Sequence, residues 1–453
     1  MCPQRGSPFF AVLFLAACGD RSFEHEERAL RGARAGDALT RSAIRHVVVI
    51  EQENHTFDTY FGRYCVGEPG VACNQGPACC EAAPAQVGDC TAGVVDDDFN
   101  GSFDPDHGAN REWQRMNLTD GTFRMDGFPC SNIAYAETPD STYLDNPIAD
   151  AGYPLRTHHH YAATGALADR YFQPIVGASS SNDMFLARAA FVFQDNQATP
   201  SSRQYIDPTI GNLMNDAEVS WQVYMEGFDS GGSSYPDGYD PTDNPFNYYK
   251  NSAHKVRDYR HFAGDIEAGR LPAVTYVRGE ERHMEHPGSG IRITDGEAFV
   301  RTAVDTLLGT PYANDTLILL TWDEGGGYYD HVSPPLTLAD GTPLPATPLV
   351  QTGLPGDRST LEDGTQVPTG TGDPEYYSNE NNMRGQEYYG TRLPLLALGP
   401  FARANYISHV PLEHSSIVKL IEWNWLSDRT LGTRDAHVRT LGSLLAPTLG
   451  VPE

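Results

Sequence analysis

Two pairs of oxygen-bearing residues stand directly behind two apolar runs that lie far apart in the chain. Glu53-Asn54 follows Val47-Val48-Val49-Ile50, and Asp323-Glu324 follows Leu317-Ile318-Leu319-Leu320. Carboxylates and amide carbonyls are hard donors, suited to Ca, Mg or Mn and acceptable to Zn. Three carboxylates and one amide brought to a point would hold one divalent cation. Either pair alone could equally cap a helix or face water. Two pairs in matching positions argue for a shared site.

The runs that carry them are short, β-branched or Leu-rich, and bounded by turn residues, which is the pattern of strands buried on both faces. Ligands of open α/β sheets bind just beyond the carboxyl ends of such strands. The expected fold class is therefore α/β: a mostly parallel central sheet with helices on both faces, plus long loop insertions. Residues 271–277 read as a further strand and 296–308 as a helix. Residues 415–426 carry Ile417, Val418, Leu420, Ile421 and Trp425 at helical spacing, which predicts an amphipathic helix. Residues 227–245 and 334–390 are turn-rich and read as lids or insertions. The aspartates of the first lack the spacing of an EF-hand loop and read as solvated.

A formal net charge of −28 excludes nucleic acid as a natural partner, because phosphate backbones select basic surfaces. It also means that any phosphate site must bring its own positive field, from a metal ion or from histidines. Arg5 precedes the apolar stretch 9–17, which is too short to span a bilayer and fits a signal peptide. Leu15-Ala16-Ala17-Cys18 resembles a bacterial lipobox, in which the cysteine is lipidated and becomes the mature N-terminus. The expected organisation is a lipoprotein signal peptide (1–17), a tether (18–43), a catalytic domain (44–445) and a tail (446–453). The expected location is the bacterial cell envelope, in the outer membrane or periplasm and attached through Cys18, or outside the cell. Apart from Cys2 and Cys18, the cysteines are Cys65, Cys73, Cys79, Cys80, Cys90 and Cys130, all within one stretch. An even set in an exported chain predicts disulfides, with the connectivity left open, stapling an insertion at about 65–130 that has little core of its own.

Glu53-Asn54-His55-Thr56-Phe57-Asp58-Thr59-Tyr60-Phe61-Gly62 resembles the opening motif of the bacterial phosphoesterase family that groups phospholipases C with acid phosphatase A. Further blocks follow in the family's order. They are Asp104-Pro105-Asp106-His107, Met125-Asp126-Gly127-Phe128, residues 167–183, the stretch from Thr321 to Val332, and Glu413-His414-Ser415-Ser416. The likeness extends over most of residues 44–426.

The resemblance implies an alkaline-phosphatase-like fold, one divalent cation (Ca, Mg, Mn or Zn) and a hydroxyl nucleophile. The family's metal ligands map onto Glu53, Asn54, Asp323, Glu324 and the nucleophile, whose position matches Ser179; the phospholipase branch carries Thr there. Coordination to a cation stabilises an alkoxide and aligns it for attack on phosphorus. The residues alone leave Ser179, Ser180 and Ser181 as a possible polar turn. Asn182 falls where both branches carry Asn and could donate to a phosphate oxygen. His107, His286 and His331 sit in matching blocks, where imidazolium holds phosphate oxygens or protonates a leaving alkoxide. The His158-His159-His160 tract reads as structural, since neighbouring side chains point in different directions.

Residues 173–183 look closer to the acid phosphatase branch, although Asp243-Asn244 stand where that branch tends to carry histidines before Pro245-Phe246-Asn247-Tyr248. The sequence thus predicts a metal-dependent phosphoric ester hydrolase, foremost an acid-phosphatase-like phosphomonoesterase with a phosphoserine intermediate on Ser179. A phospholipase C is the alternative, and Tyr376-Tyr377 and Tyr388-Tyr389 could line the apolar groove it needs. A catalytically silent surface lipoprotein is the third reading.

Overall fold

The computed structural model describes residues 38–138, 153–193, 195–196, 204–230, 233–234, 236–252, 255–337, 358–360, 366–368, 388–432 and 434–453. The expected leader, Cys18, most of the tether and Tyr376-Tyr377 lie outside them. The apolar runs form the strands they suggest. Strand β1 (His46–Gln52) and its partners β2 (Ala166–Phe172), β3 (Trp221–Met225), β4 (Val256–Asp258), β5 (Val274–Arg278), β6 (Thr316–Trp322), β7 (Arg392–Leu398) and β8 (Tyr406–Ser408) make one eight-stranded sheet. Its order is β4-β3-β5-β1-β6-β7-β2-β8. Only β7 runs against its neighbours.

Alternation along β1 sends Val47 and Val49 into one apolar cluster and Val48 and Ile50 into another, so both faces are covered. All four are fully buried, each contributing about 1.5–3 kcal/mol over an exposed position. One face packs against helices α4 (Ser179–Ala187) and α6 (His414–Trp425). The other packs against α1 (Phe57–Phe61), α3 (Arg156–Thr164) and α5 (Ile293–Leu308). Helix α5 begins earlier than its periodicity suggests, because the Asp97 carboxylate accepts from Thr294 N (3.1 Å) and Thr294 Oγ1 (2.8 Å). That cap comes from a distant segment, so no local pattern announces it.

Disulfides join Cys65 to Cys80, Cys73 to Cys79 and Cys90 to Cys130. The expectation that this insertion has little core of its own needs correction. Helix α2 (Ala109–Met116) lays Trp113 and Met116 against Phe123, Met125, Phe128 and Ile133, and the cluster continues into Phe172 and Val176 of the main body. The same cluster buries Tyr388 and Tyr389, which therefore line no open groove.

Contacts also reach across the expected domain ends. In the expected tether, Ser42 Oγ donates to Asn424 Oδ1 at 2.8 Å. In the expected tail, Ala446 N donates to Phe401 O at 2.8 Å. Nor is the 227–245 segment simply solvated, since Asp243, Asn244 and Pro245 are buried. Among the described residues no helix is long and apolar enough to cross a membrane.

Candidate active site

Register decides which residues meet at the carboxyl edge of the sheet. Glu51 of β1 lies opposite Arg278 of β5 and Thr321 of β6, so Glu53-Asn54, Arg278 and Asp323-Glu324 emerge together. Asp323 N donates to Gln52 O (3.0 Å), and Asn54 N donates to Asp323 Oδ1 (2.9 Å). Asn54 adopts φ +61°, a left-handed conformation that Asn tolerates better than most residues. The loop after Glu324 crosses so close to it that a Cβ on Gly326 would lie 2.1 Å from Asn54 O. Only glycine fits there.

The loop that carries the expected nucleophile approaches from β2. Ser179 is the first residue of α4, and its Oγ stands 3.3 Å from Glu53 Oε2 and 3.5 Å from Asn54 Oδ1. The neighbouring serines point elsewhere. Ser180 Oγ bonds to Asn196 Oδ1 (3.2 Å), and Ser181 Oγ donates to Ala178 O (2.6 Å). The helix also aims its positive N-terminal end at this spot.

The cluster is short of protons. Asn54 Oδ1 lies 3.1 Å from Glu53 Oε2 and 2.6 Å from Glu324 Oε1, three acceptors that have only the single proton of the Ser179 hydroxyl to share. Turning the amide over would supply NH groups to both carboxylates, but it conflicts with His286. That ring donates Nδ1–H to Pro287 O at 2.9 Å. Enclosure, with His107 adding to it, lowers its pKa to about 3, so it is neutral. Its Nε2 is then a lone pair 3.0 Å from the Asn54 amide, and it needs that amide's NH2. The carbonyl is thereby left facing the acids.

Asp323 Oδ2 is buried without a partner. Burial raises the pKa values of Glu53, Asp323 and Glu324, and Asp323 raises the two glutamates further. Arg278 offers little relief. Burial works against its charge, yet it is held firmly charged by Asp183 (3.0 Å), Glu53 and Glu51 (2.8 Å), all of which bond to it. A divalent cation fits this donor set: it would replace the missing protons and let the carboxyls ionise together.

Other expected site residues sit differently. His107 is at the cluster, with Nδ1 donating to Pro105 O (2.7 Å) and Nε2 3.5 Å from Glu324 Oε1. Asn182 is one helical turn away and engaged in shaping the loop. Its Oδ1 accepts from Ile175 N (3.1 Å) and its Nδ2 donates to Gly177 O (2.7 Å). His331 belongs to a separate buried ion network. Its Nδ1 bonds to Asp58 (2.8 Å), and Arg392 pairs with Asp58 and Asp330 (both 2.8 Å). None of its hydrogen bonds among the described residues reaches the cluster. His158 and His159 are structural, bonding Glu285 Oε1 (2.8 Å) and Tyr60 O (2.6 Å).

Three supporting residues were not singled out from sequence. His414 Nε2 donates to Asp323 O (2.9 Å) while Nδ1 accepts from Tyr171 (2.6 Å). Gln173 Oε1 accepts from Gly325 N (2.9 Å), and its Nε2 donates to Glu112 Oε2 (2.9 Å), which also accepts from Gly177 N (2.8 Å). His414 lies in a recognisable sequence block and Gln173 in the stretch of the expected nucleophile. Glu112 carries no sequence signal.

A profile of the Phosphoesterase family matches residues 44–426. The chain is similar to phospholipase C B of Mycobacterium tuberculosis, with 27% identity over 421 residues, 83% of this chain and 72% of that protein. It is 23% identical to a non-hemolytic phospholipase C of Burkholderia pseudomallei over 432 residues, 84% of this chain and 55% of that one. Likenesses among solved structures include an alkaline phosphatase superfamily protein from Vibrio parahaemolyticus (TM-score 0.35, 10% identity, 93% and 79% coverage). The family match runs from β1 through α6 and so spans every residue of the oxygen cluster: the chain belongs to the Phosphoesterase family and is a phosphoric ester hydrolase.

Proposed function

We propose that this enzyme is a metal-dependent phosphodiesterase of the phospholipase C type that works through a covalent intermediate on Ser179. The observation that carries this reading is the convergence of Ser179 Oγ with Glu53, Asn54 and the Asp323-Glu324 turn around a point where acceptors outnumber donors. Glu53, Asn54, Asp323, Glu324 and Ser179 would hold the cation, which supplies Lewis-acid activation of the hydroxyl and of a phosphate oxygen. Ser179 Oγ attacks phosphorus as the bond to the glycerol oxygen breaks, leaving the phosphorylated headgroup on the serine. Water then cleaves that ester and restores the hydroxyl. His107, whose Nε2 faces the cluster, is placed to protonate the departing alkoxide. His286 has both nitrogens engaged and orients Asn54 instead.

Charge favours a diester over the monoester foreseen from the nucleophile stretch. A monoester arrives as a dianion. Here one cation would face three carboxylates, Arg278 is already shared by Glu51, Glu53 and Asp183, and His286 is neutral. A phosphodiester monoanion meets less repulsion. The relatives named above carry the phospholipase C name, which supports the same choice. The serine in place of threonine favours the monoesterase as second reading. On either reading, the leader and Cys18 would deliver the enzyme to the cell envelope.

The test is hydrolysis of phosphatidylcholine and of p-nitrophenyl phosphate by purified protein, with and without chelator. Diester turnover that chelator abolishes and a divalent ion restores is the expected result. Faster monoester cleavage selects the second reading, and no cleavage of either ester returns the silent lipoprotein.

A further inference from the structure

Three clusters of acidic or imidazole side chains outside the oxygen site bring ligand atoms within 4.8 Å of one another among the described residues. Two contain their own positive charge or proton. In Asp58–Asp330–His331, Arg392 pairs with both carboxylates. In Glu226–Glu280–His283, the imidazole bonds Glu226 Oε2 at 2.6 Å. The third, Asp240–Asp243–Glu281, consists of carboxylates alone.

Its construction is local and rigid. Asp240 caps the short helical turn Pro241–Asp243, accepting from Thr242 N (2.8 Å) and Thr242 Oγ1 (2.7 Å) through one oxygen. Side chains three apart on a 3₁₀ turn eclipse one another, so Asp240 and Asp243 share a side. Glu281 opens the turn that follows β5. Asp243 and Glu281 are only 8% and 9% exposed, and Glu281 Oε2 is buried without a hydrogen-bond partner, since His286 Nδ1 stands 4.0 Å from it and donates to Pro287 O instead. The nearest guanidinium, Arg278, is already engaged by Glu51, Glu53 and Asp183.

We propose that Asp240, Asp243 and Glu281 hold a second hard divalent cation, adjacent to Arg278 and to the Glu53 cluster. All-carboxylate ligation is the donor chemistry of Ca, Mg or Mn. Oxygens bound to one such ion at roughly 2.0–2.6 Å lie no more than about 5 Å apart, and each of the three carboxylates brings an oxygen within 4.8 Å of the others. Nothing in this site depends on Ser179, so it stands or falls apart from the proposed reaction.

The experiment is metal stoichiometry. Chelator-stripped protein is dialysed against calcium, magnesium or manganese chloride alone and its bound metal measured by mass spectrometry. Wild type should retain two ions per chain with at least one of these metals. D243N and E281Q, which keep side-chain volume, should each retain one. The half-exposed D240N, the variant least prone to misfold, should weaken the second ion without removing the first. One ion in wild type, with D243N and D240N unchanged from it, overturns the proposal. So does a wild type with one ion in which E281Q selectively raises KM for a choline ester, since the cluster would then read an organic ammonium. Two ions bound to a protein inactive on every phosphate ester would sustain this site and refute the phosphodiesterase.

Discussion

Replacing Gln173 by Met removes one buried amide while nearly preserving volume. That amide joins the two halves of the site. Its Oε1 accepts from Gly325 N at 2.9 Å, just behind Asp323-Glu324, and from Thr391 Oγ1 at 3.1 Å. Its Nε2 donates at 2.9 Å to both Glu112 Oε2 and Ile175 O. Glu112 in turn accepts from Gly177 N, two residues before Ser179. Gln173 is fully buried, so water cannot substitute. A buried polar group left unsatisfied costs about 1–3 kcal/mol. Gly325 N–H, Thr391 Oγ1, Ile175 C=O and Glu112 would each lose a partner, which gives about 3–6 kcal/mol after some relaxation. If the Gly177–Ser179 turn shifts by an ångström, kcat should fall roughly 100-fold. Urea unfolding and steady-state kinetics at saturating metal read the two effects. A Q173M enzyme within about 0.5 kcal/mol and threefold of wild type would refute the claim that this amide positions the serine.

Asp323→Asn should abolish metal-dependent turnover by several orders of magnitude while unfolding normally without metal, because the metal-free protein gains nothing from that buried charge; undiminished activity would remove Asp323 from the ligand set. His331→Gln should lower the urea midpoint through the Asp58–Arg392 network yet leave kcat within threefold; a collapse of kcat at full stability would return His331 to the active site. Metal-induced stabilisation should grow with pH. Burial raises Glu53, Asp323 and Glu324 above their ordinary pKa values, so the stability they lend the metal-free protein is present below pH 4 and is lost as pH rises through their folded values. A bound cation replaces those protons. The shift in Tm on adding metal should therefore be larger at pH 8 than at pH 5.5, and an equal or smaller shift would contradict the cluster's role.

Much of the frame was legible because its signals are local. The continuous apolar runs of β1 and β6 have no other stable use than a doubly covered sheet, and their ends carry Glu53-Asn54 and Asp323-Glu324. Helix α6 follows from the spacing of Ile417, Val418, Leu420 and Ile421. What escaped depends on contacts between distant segments. Arg278 ends an ordinary strand, and nothing around it in sequence says that Glu51, Glu53 and Asp183 will close on it. Glu112 lies in a cysteine-bounded insertion and reaches the serine loop only through the shared apolar cluster of Trp113 and Val176. Asp243 looked solvated because its neighbours are turn formers, although Pro245 and Phe246 pull it into the sheet edge. His331 sits in a family-like block, but the pull of Asp58 and Arg392 is invisible without the fold.

The most direct measurement is mass spectrometry of enzyme quenched in acid during turnover of a phosphodiester. Trypsin releases residues 171–188 as one peptide containing Ser179, Ser180 and Ser181, so fragmentation must assign the modified position. The expected result is the phosphorylated headgroup on Ser179, absent from Ser179→Ala, whose turnover should fall by several orders of magnitude while Ser180→Ala stays near wild type. An adduct on Ser180 or Ser181, a Ser179→Ala enzyme of near-normal rate, or single-step inversion at phosphorus would contradict the mechanism.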